Sequence, residues 1–197
     1  MPDTRSEANV QSANGIGINQ TNVGRIAERI VSNELEYRGF RVSDLNKEGT
    51  SANADLLAVK NGRPWQVQVK GSTDDDGSWF GYGYCTEEII NGPDRRMFNR
   101  ASAKRFYKAE IVVLVSVKNP KEYSCLVLPV AIAEEAAQIN IDRDFRTTRK
   151  DGKPKKPGKV SMSFYMPPRL SDGDRKTSLV KEQDLLKPYI DNWSAFL

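Results

Sequence analysis

The sequence predicts an α/β (α+β) fold, a mixed central β-sheet flanked by helices. Three observations carry this. An amphipathic helix pattern over 22–37 precedes two strand-like runs joined by Lys60-Asn-Gly-Arg-Pro64, and Asn-Gly between apolar runs is a strong hairpin signal. A continuous apolar run over 111–117 reads as a buried strand. A strand over 123–128 then leads into a helix over 129–139, with Pro129 at its start, where a missing N–H costs nothing.

The first helix, 22–37, stops at Gly39 and carries Val23, Ile26, Ala27, Ile30, Val31 and Leu35 as its apolar stripe. Glu28 lies on the flank of the stripe. Glu34 falls nearer its centre, where a carboxylate is expensive unless it has a partner. An edge strand is expected over 40–45 and a polar loop over 46–53. The hairpin follows, with Asp55 near the start of its first strand. In the second strand Trp65, Val67 and Val69 alternate with Gln66, Gln68 and Lys70, so Gln68 and Lys70 project together, away from the core that takes the valines. Asp74-Asp75-Asp76-Gly77 reads as a solvated turn. Residues 78–85, SWFGYGYC, read as a strand or as a loop that stacks on bases. Residues 95–107 read as a basic helix with Arg95, Arg96, Arg100, Lys104 and Arg105, and Lys108 just beyond. A Pro/Gly-rich basic loop spans 146–159 and includes Arg149, Lys150, Lys153, Lys155 and Lys156; it is a hairpin tip or a phosphate-neutralising arm. A strand is expected over 160–166. A terminal helix over 178–197 presents Leu185, Leu186, Tyr189, Ile190, Trp193 and Leu197 to the core or to a second subunit.

At 197 residues the chain suits one domain, expected over 21–197 behind a flexible arm at 1–20, with Thr21 or Asn22 as the helix cap. No long apolar run or apolar signal segment is present, so no membrane partner is expected. Two cysteines, Cys85 and Cys125, are too few for a disulfide framework and point to a reduced, cytoplasmic setting. A net charge of +4 and a pI near 9.0 mildly favour an anionic partner. The chain has no histidine. That excludes Ser-His-Asp and Cys-His nucleophiles, HNH-type nucleases and His-containing zinc sites. Two cysteines also exclude an all-Cys zinc site. Hydrolytic chemistry here must run on carboxylates, amide oxygens, lysine and a hard metal.

Asp55, Gln68 and Lys70 resemble the PD-(D/E)xK nuclease motif in a D…QxK form. Gly24-Arg-Ile-Ala-Glu28 followed by Arg38-Gly-Phe40 is similar to the first helix of archaeal Holliday junction resolvases, whose GxxAE helix end supplies a third metal ligand. The intervals from Glu28 to Asp55 and from Asp55 to Gln68 are also similar. The strand–turn–strand–helix after residue 111 looks like the second half of those resolvases. The resemblance covers roughly 22–139. Gln68 stands where that family usually has Glu, as in some Mrr-type restriction nucleases, and Ala54 stands where the family name has Pro.

The resemblance implies a restriction-endonuclease-like three-layer core and a Mg2+- or Mn2+-dependent DNA endonuclease acting on duplex or branched DNA. It implies that Asp55, Gln68, Glu28 and the Val69 carbonyl hold the cation and that Lys70 contacts the attacking water or the scissile phosphate. By helical geometry Glu34 rivals Glu28 as the helix ligand. A homodimer is implied, because two strands need two active sites. The basic residues at 95–105 and 149–156 are the expected DNA contacts. Gln68 also leaves room for a nuclease-fold DNA-binding or complex-forming subunit that no longer cuts.

Overall fold

A computed structural model describes residues 20–46, 54–73, 79–89, 96–98, 109–119, 121–146, 159–167 and 176–197. Its centre is a five-stranded sheet of β1 (Arg41–Asp44), β2 (Leu56–Lys60), β3 (Arg63–Ser72), β6 (Ile111–Asn119) and β7 (Glu122–Pro129), in that spatial order. β3 and β6 run parallel; every other neighbouring pair is antiparallel. A second, three-stranded antiparallel sheet has β4 (Trp79–Ile89) between β5 (Arg96–Phe98) and β8 (Lys159–Tyr165). The expected mixed sheet flanked by helices is therefore present.

Alternation along the strands sorts the core onto two faces. Ile111, Val113, Val115, Cys125 and Val127 join Val67 and Val69 beneath helix α1 (Gln20–Tyr37). Val112, Leu114, Leu126 and Leu128 join Ala133, Ala136, Ala137 and Leu186 beneath helices α2 (Val130–Arg146) and α3 (Lys176–Leu186). Layers of helix, sheet and helix follow. A strand covered on both faces reads as an unbroken apolar run, as 111–117 does. Nor does Gln68 project into water. It leaves the valine face only to be buried on the other.

Helix α1 starts at Gln20, so Thr21 and Asn22 lie inside it rather than capping it. It ends as expected. Gly39 has a φ of +82°, Gly39 N–H donates to Glu36 O at 2.9 Å, and Phe40 N–H donates to Leu35 O at 3.1 Å. This paired closure lets Phe40 fold back beside Leu35 in the core. Lys60 Nζ donates to Arg38 O at 2.9 Å, a cation at the negative end of the helix. The hairpin turn is tighter than the sequence suggests. Only Asn61 and Gly62 lie outside the ladder, both with positive φ (+53° and +77°), and Pro64 pairs with Val59.

Other expectations change. Of the two readings left open for 78–85, the strand is the one found, since Trp79 onward lies in β4. Arg96 lies in β5, paired with Ile89, so the expected basic helix does not begin there; strand pairing with β4 overrides a composition that only suggested a helix. Arg95, Arg100, Lys104, Arg105, Arg149, Lys150, Lys153, Lys155 and Lys156 lie outside the described residues, as do most of the arm, the acidic turn and most of the basic loop. The expected single terminal helix is three pieces: α3, a 3-10 turn Lys187–Tyr189 around Pro188, and a 3-10 turn Trp193–Phe196. Pro188 lacks the N–H a continuing helix needs. The backbone then uses its hydrogen bonds elsewhere: Ile190 bridges to Leu126, Asp191 N–H donates to Cys125 O at 2.7 Å, and Cys125 N–H donates to Asp191 Oδ1 at 2.8 Å. This break carries the chain from one face of the sheet to the other. Leu186 lies in the α2 side core, whereas Phe196 closes the α1 side against Phe40 and Trp65, with ring centroids 5.5 and 6.2 Å away.

One close approach sets the height of α1 over β3. A Cβ added at Gly71 would lie 2.9 Å from both Ala27 Cβ and Val23 O and 3.0 Å from Val23 Cγ1. Because one of those atoms is helix backbone, a larger residue must push α1 off the sheet. Gly71→Ala is expected to lower unfolding free energy by about 2 kcal/mol. Urea denaturation measures this, and unchanged stability would mean that α1 does not rest on β3 in this way.

Candidate functional site

β2 ends before β3 does. The last paired rung is Leu56 with Val67, after which β3 runs on through Ser72 paired with β6 but no longer with β2. Val67 O accepts from Asp55 N–H at 2.9 Å, so residues 67 and 69 turn their peptide groups towards the departing strand. The Val69 N–H would be orphaned there. Asp55 Oδ2 accepts it at 2.7 Å, so this carboxylate stands where a further rung would have been. The Val69 carbonyl faces the same notch, and its contact there is Gln68 Nε2 at 3.5 Å.

Four chain segments meet at this notch. Glu28 comes from α1, held down by the Gly71 contact one turn away. Asp55 comes from the entrance to β2. Gln68 and Lys70 come from β3. Asn46, from the turn after β1, completes the set: its Nδ2 lies 3.3 Å from Asp55 Oδ1 and 3.5 Å from Glu28 Oε1. The groups expected to converge do so, though at a sheet edge rather than on one sheet face.

Electrostatics are strained in one direction. Burial pushes the Glu28 carboxyl above the usual carboxylate range, and the negative charges of Asp55 and Asp44 push it further; Lys70 and Arg25 oppose them. A cation between Glu28 and Asp55 would relieve that repulsion. The ligand chemistry suits a hard ion, with two carboxylates, the Val69 carbonyl and an amide. Among the described residues no three His, Cys, Asp or Glu side chains group as a metal cage. Any ion would therefore complete its shell with neutral oxygens and water, as magnesium does.

Gln68 is oriented differently from the sequence expectation. Its Nε2 donates to Asp55 Oδ2, because the oxygen end of the amide would face a carboxylate. Gln68 thus holds Asp55 as a donor, and offers an oxygen to an ion only after its amide turns over. Glu34 and Glu28 also separate clearly. Glu34 Oε1 accepts from Tyr123 Oη at 2.7 Å, and its Oε2 pairs with the Arg38 guanidinium, which lies 4.7 Å over the Trp193 ring. This is the partner set that a carboxylate on the inner side of α1 needs. It ties α1 to β7 and the C-terminal turn and has no link to Asp55.

Asn46 was not legible as a site residue. It lies in a polar loop, and nothing in its sequence neighbourhood marks it. The Asp44 Oδ1 that accepts its N–H at 3.0 Å is a local turn signal at most.

No protein-family model and no curated protein matches the chain. Among solved structures, the bacterial homing endonuclease I-Ssp6803I is similar with a TM-score of 0.45 and 13% identity, over 91% of this chain and 93% of that one. MepB is similar with a TM-score of 0.32 and 12% identity, over 85% of this chain and 96% of that one. At these values neither likeness carries weight for fold or activity. No described helix is long and apolar enough to cross a membrane.

The Glu34 network yields a pH-dependent prediction. Burial raises its pKa, but the bonds from Tyr123 and Arg38 outweigh burial and hold it below 4.5; Tyr123 is correspondingly pushed up to about 12. A depressed carboxylate stabilises the fold above its unfolded pKa and loses that contribution as pH falls through the folded value. Glu34→Gln is therefore expected to cost about 1 kcal/mol at pH 7, modest because solvent screens the pair, with the gap to wild type closing towards pH 3. Urea melts at the two pH values check this, and a gap independent of pH would contradict it.

Proposed function

We propose that this protein is a metal-dependent DNA endonuclease of the PD-(D/E)xK kind, with its active site in the notch between β2 and β3. The observation that carries the reading is the meeting of Glu28, Asp55, Gln68, Val69 and Lys70 at one broken sheet edge, from three separate elements. A bound Mg2+ or Mn2+ would supply charge neutralisation at the scissile phosphate and a more acidic attacking water. Asp55 would be its principal ligand, with Glu28 direct or through water, the Val69 carbonyl, and Gln68 once its amide has turned over. Among the described residues the Lys70 ammonium makes no hydrogen bond or ion pair and acts on Glu28 only through space. It is available to hold the attacking water and the negative charge that develops on the phosphate oxygens.

The substrate is DNA, duplex or branched. Cutting both strands calls for two copies of the site, hence a homodimer. The buried free thiol of Cys125, its pKa pushed up chiefly by burial, accords with a reducing, cytoplasmic setting. A second reading has its own observation. The Gln68 amide already satisfies Asp55 with a neutral donor, which is what a nuclease fold retained for DNA binding or complex formation, without cutting, would show.

Plasmid and synthetic four-way junctions, incubated with magnesium, manganese or chelator, separate these readings. Metal-dependent nicking by wild type is expected. Asp55→Ala and Lys70→Ala are each expected to reduce it by at least about 100-fold with the fold intact. Asp55→Asn, which keeps an acceptor for the Val69 N–H, guards against a purely structural loss. Undiminished nicking by these variants would overturn the site; DNA binding without any cleavage by wild type would favour the second reading.

A further inference from the structure

Asp55 has no bare oxygen. Oδ2 accepts from both Gln68 Nε2 and Val69 N–H, and Oδ1 faces Asn46 Nδ2 at 3.3 Å. The same Asn46 nitrogen lies 3.5 Å from Glu28 Oε1. Its partly positive N–H2 group thus sits between two carboxylates that repel each other, and both contacts are long. An amide donor carries only a fraction of a charge, so it screens this pair less well than a divalent ion would.

The backbone around Asn46 is fixed, whereas its side chain is not. Leu45 N–H donates to Asp55 O at 2.9 Å, and Leu45 is buried against Ala54 and Ala109. The Asn46 N–H is held by Asp44 Oδ1 at 3.0 Å. The Asn46 side chain is exposed, so its amide can swing into solvent by rotation about its own bonds while the Asn46 backbone stays in place.

We propose that Asn46 is a placeholder for the divalent cation: its amide occupies the gap between Asp55 Oδ1 and Glu28 Oε1 and is displaced when the ion binds. The inference rests on the metal-site reading above and adds a control on it. Oδ2 keeps the Val69 N–H even when the Gln68 amide turns over, whereas Oδ1 meets the longer Asn46 contact, so the ion approaches Asp55 on the Oδ1 side. There its first competitor is Asn46. Asn46 steadies the metal-free site and weakens ion binding by the free energy of its two contacts. The site is then loaded only where the cation is plentiful, or where a DNA phosphate supplies a further oxygen ligand.

Isothermal titration of Mn2+ into the full-length protein tests this without any cleavage assay. Asn46→Ala removes the competitor and is expected to tighten Mn2+ binding roughly threefold to tenfold, below the usual range for a donor to a charged acceptor because the contacts are long and exposed. Asn46→Asp replaces the donor with a third carboxylate, keeps the side-chain size and is expected to tighten binding further. Unchanged or weakened binding in Asn46→Ala overturns the placeholder while leaving the site standing, since a residue that merely positions Asp55 or ligates the ion would lose affinity when truncated. Absence of Mn2+ binding in wild type, Asn46→Ala and Asn46→Asp alike, or binding that Asp55→Ala does not reduce, overturns both the placeholder and the metal site.

Discussion

The Asp55 carboxylate accepting the Val69 N–H is the interaction on which the rest of the site depends. A strand that outlasts its neighbour exposes peptide groups, and such groups must find partners or water. Here an acidic side chain from the neighbour's own first turn supplies the partner. The same geometry turns the Val69 carbonyl into the notch and draws Gln68 and Asn46 towards Asp55. A negative group fixed by a backbone N–H moves little, which is what a metal ligand or an electrostatic anchor requires.

Helix α1 does two jobs at opposite ends. Near its start, the Gly71 contact sets its height and delivers Glu28 beside Asp55. Near its end, Glu34 and Arg38 lock it to Tyr123 and the Trp193 ring. Two glutamates six residues apart thus serve different ends, one near the notch and one in a structural tie. The C-terminal segment matters for the second. By breaking at Pro188 it crosses to the α1 side, where Phe196 closes the aromatic cluster and Trp193 backs Arg38. Glu28 is left half-buried beside like charges; burial and then the charges of Asp55 and Asp44 raise its pKa, and a cation at the notch would remove the repulsive part.

Much of the central sheet was legible because its signals are local. Asn61-Gly62 fixes a hairpin, the stripe from Val23 to Leu35 fixes a helix face, and an unbroken run such as Ile111 to Val117 fixes a strand covered on both sides. The hairpin pattern also brought Asp55, Gln68 and Lys70 within reach of one another, and Glu28 joined them through the motif resemblance alone. What escaped depends on partners that no local pattern marks. Arg96 pairs with Ile89 in a strand despite its basic, helix-like surroundings. The terminal helix breaks at Pro188, and the crossing that follows is held by backbone and side-chain bonds between Asp191 and Cys125, which no periodicity reveals. The burial of Gln68 has no local signal in the sequence, and its donor role follows from the charge of the group it meets. Asn46 could not be found at all, since only folding places an unremarkable loop amide between two carboxylates.

The most direct test of the account is where a paramagnetic ion settles. In solution NMR of the full-length protein, substoichiometric Mn2+ should broaden the amide signals of Glu28, Asn46, Asp55, Gln68, Val69 and Lys70 before any others, and excess Mg2+ should restore them. Broadening that begins at Asp74-Asp75-Asp76 instead, or that spreads evenly over the surface acids, would contradict the claim that this broken sheet edge is a cation site.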